Sequence, residues 1–131
     1  MRTEIRYLNT DLDLISDQDL TPLTVALENG NLYTLTVHQR EDKLWCARLE
    51  INEDHPTPEE TIANMLNAIE HLTGTAHTLW TQCSLREFNI GYDCGDRPQG
   101  VNNGISSQTI LRIGNADASL RITLYPPEIE D

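Results

Sequence analysis

One segment, residues 57–74 (TPEETIANMLNAIEHLTG), constrains the fold more than any other part of the sequence. Thr57 suits the N-cap of a helix, Pro58 its first position and Glu60 the far end of a capping box. Gly74 then favours a left-handed end. The apolar side chains between them recur at helical spacing along one stripe: Ile62, Met65, Leu66, Ile69 and Leu72. Such a helix must bury its stripe against another element, and the rest of the chain predicts a sheet.

The composition and alternation of five segments are typical of β-strands: residues 4–16, 32–37, 44–51, 85–92 and 119–125. The alternation of the first segment changes phase around Leu8 and Asn9, which predicts a bulge or two shorter strands. Further helices are predicted over residues 17–30, 75–83 and 106–115. The predicted order is therefore β-α-β-β-α-(α)-β-α-β.

This order predicts an α+β fold, with a single layer of helices on one mixed or antiparallel sheet. Its first six major elements match a split βαβ pattern, so we expect a ferredoxin-like core with an appended helix and strand. The helices at 18–29 and 57–73 should pack on one face of the sheet. The length of 131 residues suits one domain, and residues 126–131 (PPEIED) are expected to form a frayed tail.

Charge and apolar patterning exclude several kinds of partner. The formal charge of −12, from 21 acids and 9 bases, repels nucleic-acid phosphates and anionic membranes. No segment approaches the ~18 apolar residues of a membrane span, and the first nine residues lack the apolar core of a signal peptide. Three cysteines without CxxC spacing are typical of reduced thiols, so we expect a cytoplasmic protein.

The acidic balance suits a basic protein partner, and it equally suits simple solubility. The acids that precede the second strand lack the glycine and the twelfth-position glutamate of a calcium loop. Aromatic side chains are common anchors of protein interfaces. The candidate protein-contact residues are therefore four acids and three aromatic residues: Asp11, Asp13, Asp17, Asp19, Tyr33, Trp80 and Tyr92.

The longest loop, residues 93–104, is the segment that most resembles a ligand site. It is dense in turn-forming residues and leads into the N-terminus of a helix, which favours anions. The candidate ligand- or anion-binding residues are Cys94, Asp96, Arg97, Gly104, Ser106 and Ser107. The sequence lacks GxGxxG and P-loop motifs, so no cofactor is predicted, and a structural loop or protein contact surface is the more ordinary interpretation.

Catalytic chemistry has little support in the sequence. Cys94 is the best candidate nucleophile, because Arg97 nearby would favour its thiolate, but no histidine is linked to it by local spacing. Cys46 and Cys83 are expected to be ordinary core or near-core thiols. No CxxC or HxxxH spacing predicts a metal site, and no pair of carboxylates stands out. We therefore assign no catalytic residue and expect a protein that is not an enzyme.

Several segments resemble an uncharacterised family of small bacterial α+β domains. They are residues 6–16 (RYLNTDLDLIS) with 19–23 (DLTPL), residues 88–95 (FNIGYDCG), residues 104–106 (GIS) and residues 119–126 (SLRITLYP). The resemblance implies a small α+β domain but carries over no activity and no catalytic residue. By analogy, small acidic domains of this kind often accompany bacterial toxin or defence genes.

Three functions fit these observations. The first is a non-enzymatic acidic protein-binding module of the immunity or inhibitor type. The second is a small-ligand binder or small enzyme that uses residues 93–107, which would need a pocket of about 300 Å³ with convergent polar groups. The third is a homodimeric assembly subunit, which would show an unusually large exposed apolar patch.

Overall fold

Nine helices and strands follow one another in a computed structural model that describes residues 4–96 and 100–126. Their bounds are β1 (Arg6–Ser16), α1 (Thr21–Glu28), β2 (Leu32–Gln39), β3 (Trp45–Ile51), α2 (Pro58–Glu70), α3 (Gly74–Gln82), β4 (Leu85–Asp93), α4 (Ser107–Asn115) and β5 (Ser119–Tyr125). The α+β class is confirmed, and the short helix expected over residues 75–83 is present as α3. Arg97 and residues 127–131 of the predicted tail lie outside the described residues.

The strands form one mixed sheet in the order β2-β3-β1-β4-β5. The pairs within β2-β3-β1-β4 are antiparallel, and β4 and β5 are parallel. β1 is one long strand whose register shifts between Tyr7 and Asn9, so the expected bulge is confirmed. A second shift, between Thr34 and Thr36 in β2, was not predicted.

Helix boundaries follow local capping. Thr57 caps α2, accepting the backbone N–H of Glu60 at 3.3 Å, and Pro58 begins the helix as predicted. The helix predicted from residue 17 begins only at Thr21, because the Asp19 carboxylate accepts the N–H of Thr21 at 2.8 Å in the turn before it. The longest helix, α2, has 13 residues, and none in the described part of the chain is long and apolar enough to cross a membrane.

The core lies between one face of the sheet and the helices. Leu12 and Leu14 of β1 are almost fully buried on that face, together with Leu49 of β3 and Phe88 of β4. All four helices contribute to the same buried cluster through Leu23, Leu27, Ile62, Met65, Leu66, Leu79, Trp80 and Ile113. The opposite face of the sheet is hereafter the uncovered face. It carries the alternate side chains of each strand.

The last strand is only partly covered. Leu120 and Ile122 pair in parallel register with the buried residues Phe88 and Ile90, so they continue the helix-facing side of the sheet. Leu124 follows in the same alternation. These three side chains, hereafter the β5 row, are nevertheless 43%, 65% and 63% exposed, because β5 is an edge strand that extends beyond the helix layer.

Candidate functional site

The uncovered face brings together three of the predicted protein-contact residues. Asp11 and Asp13 alternate with buried leucines along β1, and Arg48 of β3 lies opposite Asp13. The Arg48 Nε atom is 2.7 Å from Asp13 Oδ1 and 3.8 Å from Asp11 Oδ2. On the neighbouring strand, the Tyr33 hydroxyl donates to Glu50 Oε2 at 2.7 Å. The result is a polar surface on which Asp11 and Asp13 share Arg48 and Glu50 accepts from Tyr33.

Two carboxyl groups lie side by side at the centre of this surface. The Asn9 amide donates to Asp11 Oδ1 and to Glu50 Oε1, at 3.2 Å in each case. Burial, followed by the charge of Glu50 and a hydrogen bond shared with it, raises the pKa of Asp11 to about 6. Asp11 therefore keeps its proton to a higher pH than an isolated aspartate does, because it is half-buried and Glu50 lies beside it. Sequence analysis missed the pair because it depends on the register of β1 against β3.

Replacing Asp11 by asparagine should stabilise the protein above pH 6. The folded-state pKa of about 6 lies above the ordinary value of 3.8, so folding binds a proton and stability falls as pH rises between these values. Asparagine keeps an acceptor for Asn9 and presents a donor to Glu50 without a charge. We expect a gain of about 1–2 kcal/mol at pH 7 that disappears below about pH 4, measured by urea unfolding across this range.

The exposed residue Asp17 supplies the matched control, because Asp17→Asn makes the same chemical change outside the pair. It should leave the urea midpoint unchanged at every pH. If Asp11→Asn lowered stability at pH 7 as much as at pH 4, the carboxyl pair would not be a source of repulsion.

The predicted anion site at the start of α4 is filled by the chain itself. Ser106 caps α4, its Oγ accepting the Thr109 N–H at 3.2 Å. The Glu59 carboxylate, from the first turn of α2, accepts the Ser106 backbone N–H and the Thr109 hydroxyl. These hydrogen bonds lower the pKa of Glu59, and the hydrogen bond from the Ser106 N–H has the largest effect. Glu59 therefore takes the position that an external anion was predicted to occupy at Ser106.

The other residues of the predicted ligand loop that the structure describes do not converge on a site. Cys94 is half-buried, and its backbone N–H donates to the Tyr125 carbonyl at 2.9 Å, which fixes the chain beyond the paired strands. Asp96, Gly104 and Ser107 are exposed. Together with the position of Glu59, this arrangement supports a structural loop.

The aromatic anchors separate into two groups. Trp80 is 4% exposed and its indole N–H donates to the Ala116 carbonyl at 3.0 Å, so it offers little surface to a partner. Trp80 belongs to the buried core cluster with Leu79 of the same helix, and its indole reaches the C-cap residue of α4. Tyr92 is half-buried, packs against Tyr7 at 5.9 Å between ring centres, and accepts a hydrogen bond from Asn103. Of the three predicted aromatic anchors, Tyr33 lies on the uncovered face.

Asp17 and Asp19 lie in the turn between β1 and α1, where both are exposed. They are therefore not part of the carboxylate surface formed by Asp11 and Asp13. The four predicted acids divide into a pair on the uncovered face and a pair at the end of β1.

Among the described residues, two of the open grooves reach the volume expected of a small-ligand pocket. One, of about 500 Å³, lies where the ends of α1 and α2 meet and is lined by residues that include Ala26, Gly30 and His71. The other, of about 320 Å³, lies on the uncovered face beside Cys46. Within residues 4–96 and 100–126, no group of three or more His, Cys, Asp or Glu side chains could hold a metal ion.

The β5 row is the surface feature that sequence analysis missed. The alternation of Leu120, Ile122 and Leu124 was evident, but a strand pattern does not reveal whether a helix will cover it. On the other side of β5, Arg121 is 2.7 Å from Glu87 and Thr123 donates to Asn89 at 2.7 Å, so that side is polar and internally paired. The apolar side chains of β5 therefore lie on the helix-facing side, beyond the edge of the helix layer.

Comparison with known proteins gives no match: no protein-family model matches this chain, and neither a curated protein nor a solved structure is significantly similar to it.

Proposed function

We propose that this chain is a non-enzymatic protein-binding module that docks a basic protein partner on the β5 row. The observation that carries the proposal is the row itself, in which Leu120, Ile122 and Leu124 are 43–65% exposed at alternate positions on the helix-facing side of β5. A monomer seldom leaves aligned apolar side chains on one strand without a partner.

The edge position of β5 favours an extended partner segment. Its outer backbone groups are those of an edge strand, and an added strand would pair with them while its side chains cover the row. Main-chain hydrogen bonds would then supply affinity, and the three apolar positions would select complementary side chains.

Charge favours a basic partner over a second copy of the chain. Two molecules that each carry −12 repel one another. Asp117 lies in the turn before β5 and Asp96 follows its partner strand β4, and both are exposed, while Arg121 is already paired with Glu87. Lysine or arginine residues that flank an apolar strand would complement these acids and accelerate association.

The proposed binding surface belongs to the part of the chain appended to a ferredoxin-like core. The strand order β2-β3-β1-β4 and its antiparallel pairing support that description of the core, to which α4 and β5 add a parallel strand. A cytoplasmic location is part of the same proposal and is supported by three free thiols.

The experiment compares capture by the wild-type protein and by two matched variants. Ile122→Asp places a charge in the β5 row at a side chain that is 65% exposed, and Leu35→Asp makes a similar change on the opposite edge strand, where Leu35 is 46% exposed. We expect the wild type and Leu35→Asp to retain a basic protein at about 50 mM NaCl and to release it at about 500 mM. Ile122→Asp should bind it at least about tenfold more weakly.

Equal capture by Ile122→Asp and the wild type would contradict the proposal. Sedimentation of the purified protein distinguishes the homodimer alternative, because a wild-type dimer that Ile122→Asp dissociates would identify a second copy as the occupant of the row. The small-ligand alternative has less support, because Glu59 fills the N-terminus of α4.

A further inference from the structure

A thiol and an imidazole face one another on the uncovered face, at a place that the proposed binding surface does not use. His38 of β2 lies opposite Cys46 of β3 in the antiparallel register. The Cys46 Sγ atom is 3.3 Å from His38 Nε2, and His38 Nδ1 is 2.9 Å from the Thr36 hydroxyl. Thiol, base and orienting group therefore form a continuous chain of contacts.

The expectation of a core or near-core thiol at Cys46 becomes more specific in the structure. Cys46 alternates with the buried residues Ala47 and Leu49 and is half-buried on the uncovered face. Cys94, the best candidate nucleophile in the sequence, is also half-buried. Local spacing could not link Cys46 to His38, because the hairpin between β2 and β3 separates them.

The contact with Thr36 suits a general base. When Nδ1 carries the imidazole proton and donates a hydrogen bond to the Thr36 hydroxyl, Nε2 is unprotonated. Nε2 is also the ring nitrogen nearer to the Cys46 sulfur, at 3.3 Å against 3.8 Å for Nδ1. Transfer of the thiol proton to Nε2 then gives a thiolate beside an imidazolium, which stabilises it.

The charged groups around the pair come from three elements. Arg48 lies two residues along β3 on the same face and is held by Asp13 of β1. Arg40, after β2, is close enough to interact electrostatically with Cys46 and pairs with Asp42 at 2.6 Å. Two guanidinium groups therefore lie near the thiol, and each is already paired with a carboxylate.

Space for a reaction partner lies directly beside the thiol. The groove of about 320 Å³ is lined by Cys46 and His38 and, on its apolar side, by Ile15 and Leu85. It is open to solvent, so a small molecule can reach Sγ without a change in the fold.

We propose that Cys46 is a reactive thiol that exchanges with small disulfides, with His38 as its base. The Cys46 thiolate attacks one sulfur of the disulfide, and the disulfide bond breaks as the new sulfur–sulfur bond forms. The electron pair leaves with the second sulfur as a thiolate, which takes the proton held on His38 Nε2. The products are a mixed disulfide at Cys46 and one free small thiol.

The test measures the rate at which each cysteine forms a mixed disulfide with 2-hydroxyethyl disulfide, resolved by peptide mass spectrometry. This probe is neutral, so the overall negative charge of the protein does not bias its access. Cys83 is an internal reference, because it is 6% exposed and burial raises its pKa to about 11. At pH 7, Cys46 should react at least about tenfold faster than Cys83 and Cys94.

The variant His38→Gln tests whether His38 acts as a base for Cys46 or is only a neighbour in the structure. It should slow the reaction of Cys46 at least about tenfold at pH 7, and the difference should vanish near pH 10, where the thiol ionises without assistance. The rate at Cys94 should not change, and its constancy also reports an intact fold. The proposal is overturned if Cys46 reacts no faster than Cys94, or if His38→Gln leaves the pH profile of Cys46 unchanged.

Discussion

Replacing Gly30 by alanine should lower the free energy of unfolding by about 2–4 kcal/mol. Gly30 ends the turn after α1, where a Cβ atom would lie 2.3 Å from the Cβ of Ala68 and 3.0 Å from its backbone Cα on α2. The backbone has little freedom to retreat, because the Gly30 N–H donates to the Leu27 carbonyl at 2.9 Å and Asn31 already has a φ of 73°. Alanine must therefore push α1 and α2 apart.

The double variant Gly30→Ala/Ala68→Gly tests this explanation, since it removes the methyl group that the new Cβ would strike. Urea unfolding should show that the double variant is at least about 1 kcal/mol more stable than the sum of the two single changes predicts. Gly114→Ala in α4 is the matched control. A Cβ there meets nothing within 4 Å, and alanine favours a helix, so stability should be equal or higher. A Gly30→Ala protein as stable as the wild type would contradict the close approach of α1 and α2.

Replacing Arg86 by methionine should cost about 3 kcal/mol. The Arg86 guanidinium joins two regions through backbone carbonyls. Its Nη1 donates to the carbonyls of Trp80 and Cys83 at 3.0 and 2.6 Å, and its Nε donates to that of Asp117 at 2.8 Å. These carbonyls belong to the end of α3 and to the turn between α4 and β5. Methionine retains the aliphatic stem but removes the guanidinium donor from all three carbonyls, of which that of Trp80 keeps the Cys83 N–H at 3.2 Å.

Lysine at position 86 tests whether the planar donor geometry of the guanidinium or only its positive charge stabilises the protein. Arg86→Lys should recover less than half of the loss, because one ammonium group cannot reach carbonyls that the planar guanidinium spans. The urea midpoint and the thermal midpoint report both effects. Arg40→Met, which removes an exposed arginine paired with Asp42, should leave both midpoints unchanged. Equal midpoints for Arg86→Met and Arg40→Met would show that Arg86 does not connect the two regions.

The elements that could be predicted from the sequence are those fixed by neighbours along the chain. The start of α2 depends on Thr57, Pro58 and Glu60, which lie within one helical turn, and the bulge in β1 appears as a change in alternation. Such patterns between residues close together in the chain predicted the α+β class and the positions of all nine elements to within a few residues.

The candidate sites could not be predicted because each depends on strand register or helix packing. Glu59 fills the N-terminus of α4 from a distant part of the sequence, and Asp11 meets Glu50 only because Leu12 pairs with Leu49. The same holds for Cys46 and His38 across β2 and β3. The sequence alone does not distinguish a surface thiol from a core thiol, because strand register determines which face of the strand is buried.

The central position of β1 has a consequence for the order in which the chain acquires its structure. During synthesis β1 leaves the ribosome before either of its neighbours in the sheet, β3 and β4. The strands that pair with Leu12 and Leu14 are synthesised later, and the segments of three helices precede β4 in the chain. The strand that is made first is thus among the last to be paired on both edges, which favours slow folding and gives a nascent-chain chaperone a defined apolar segment to hold.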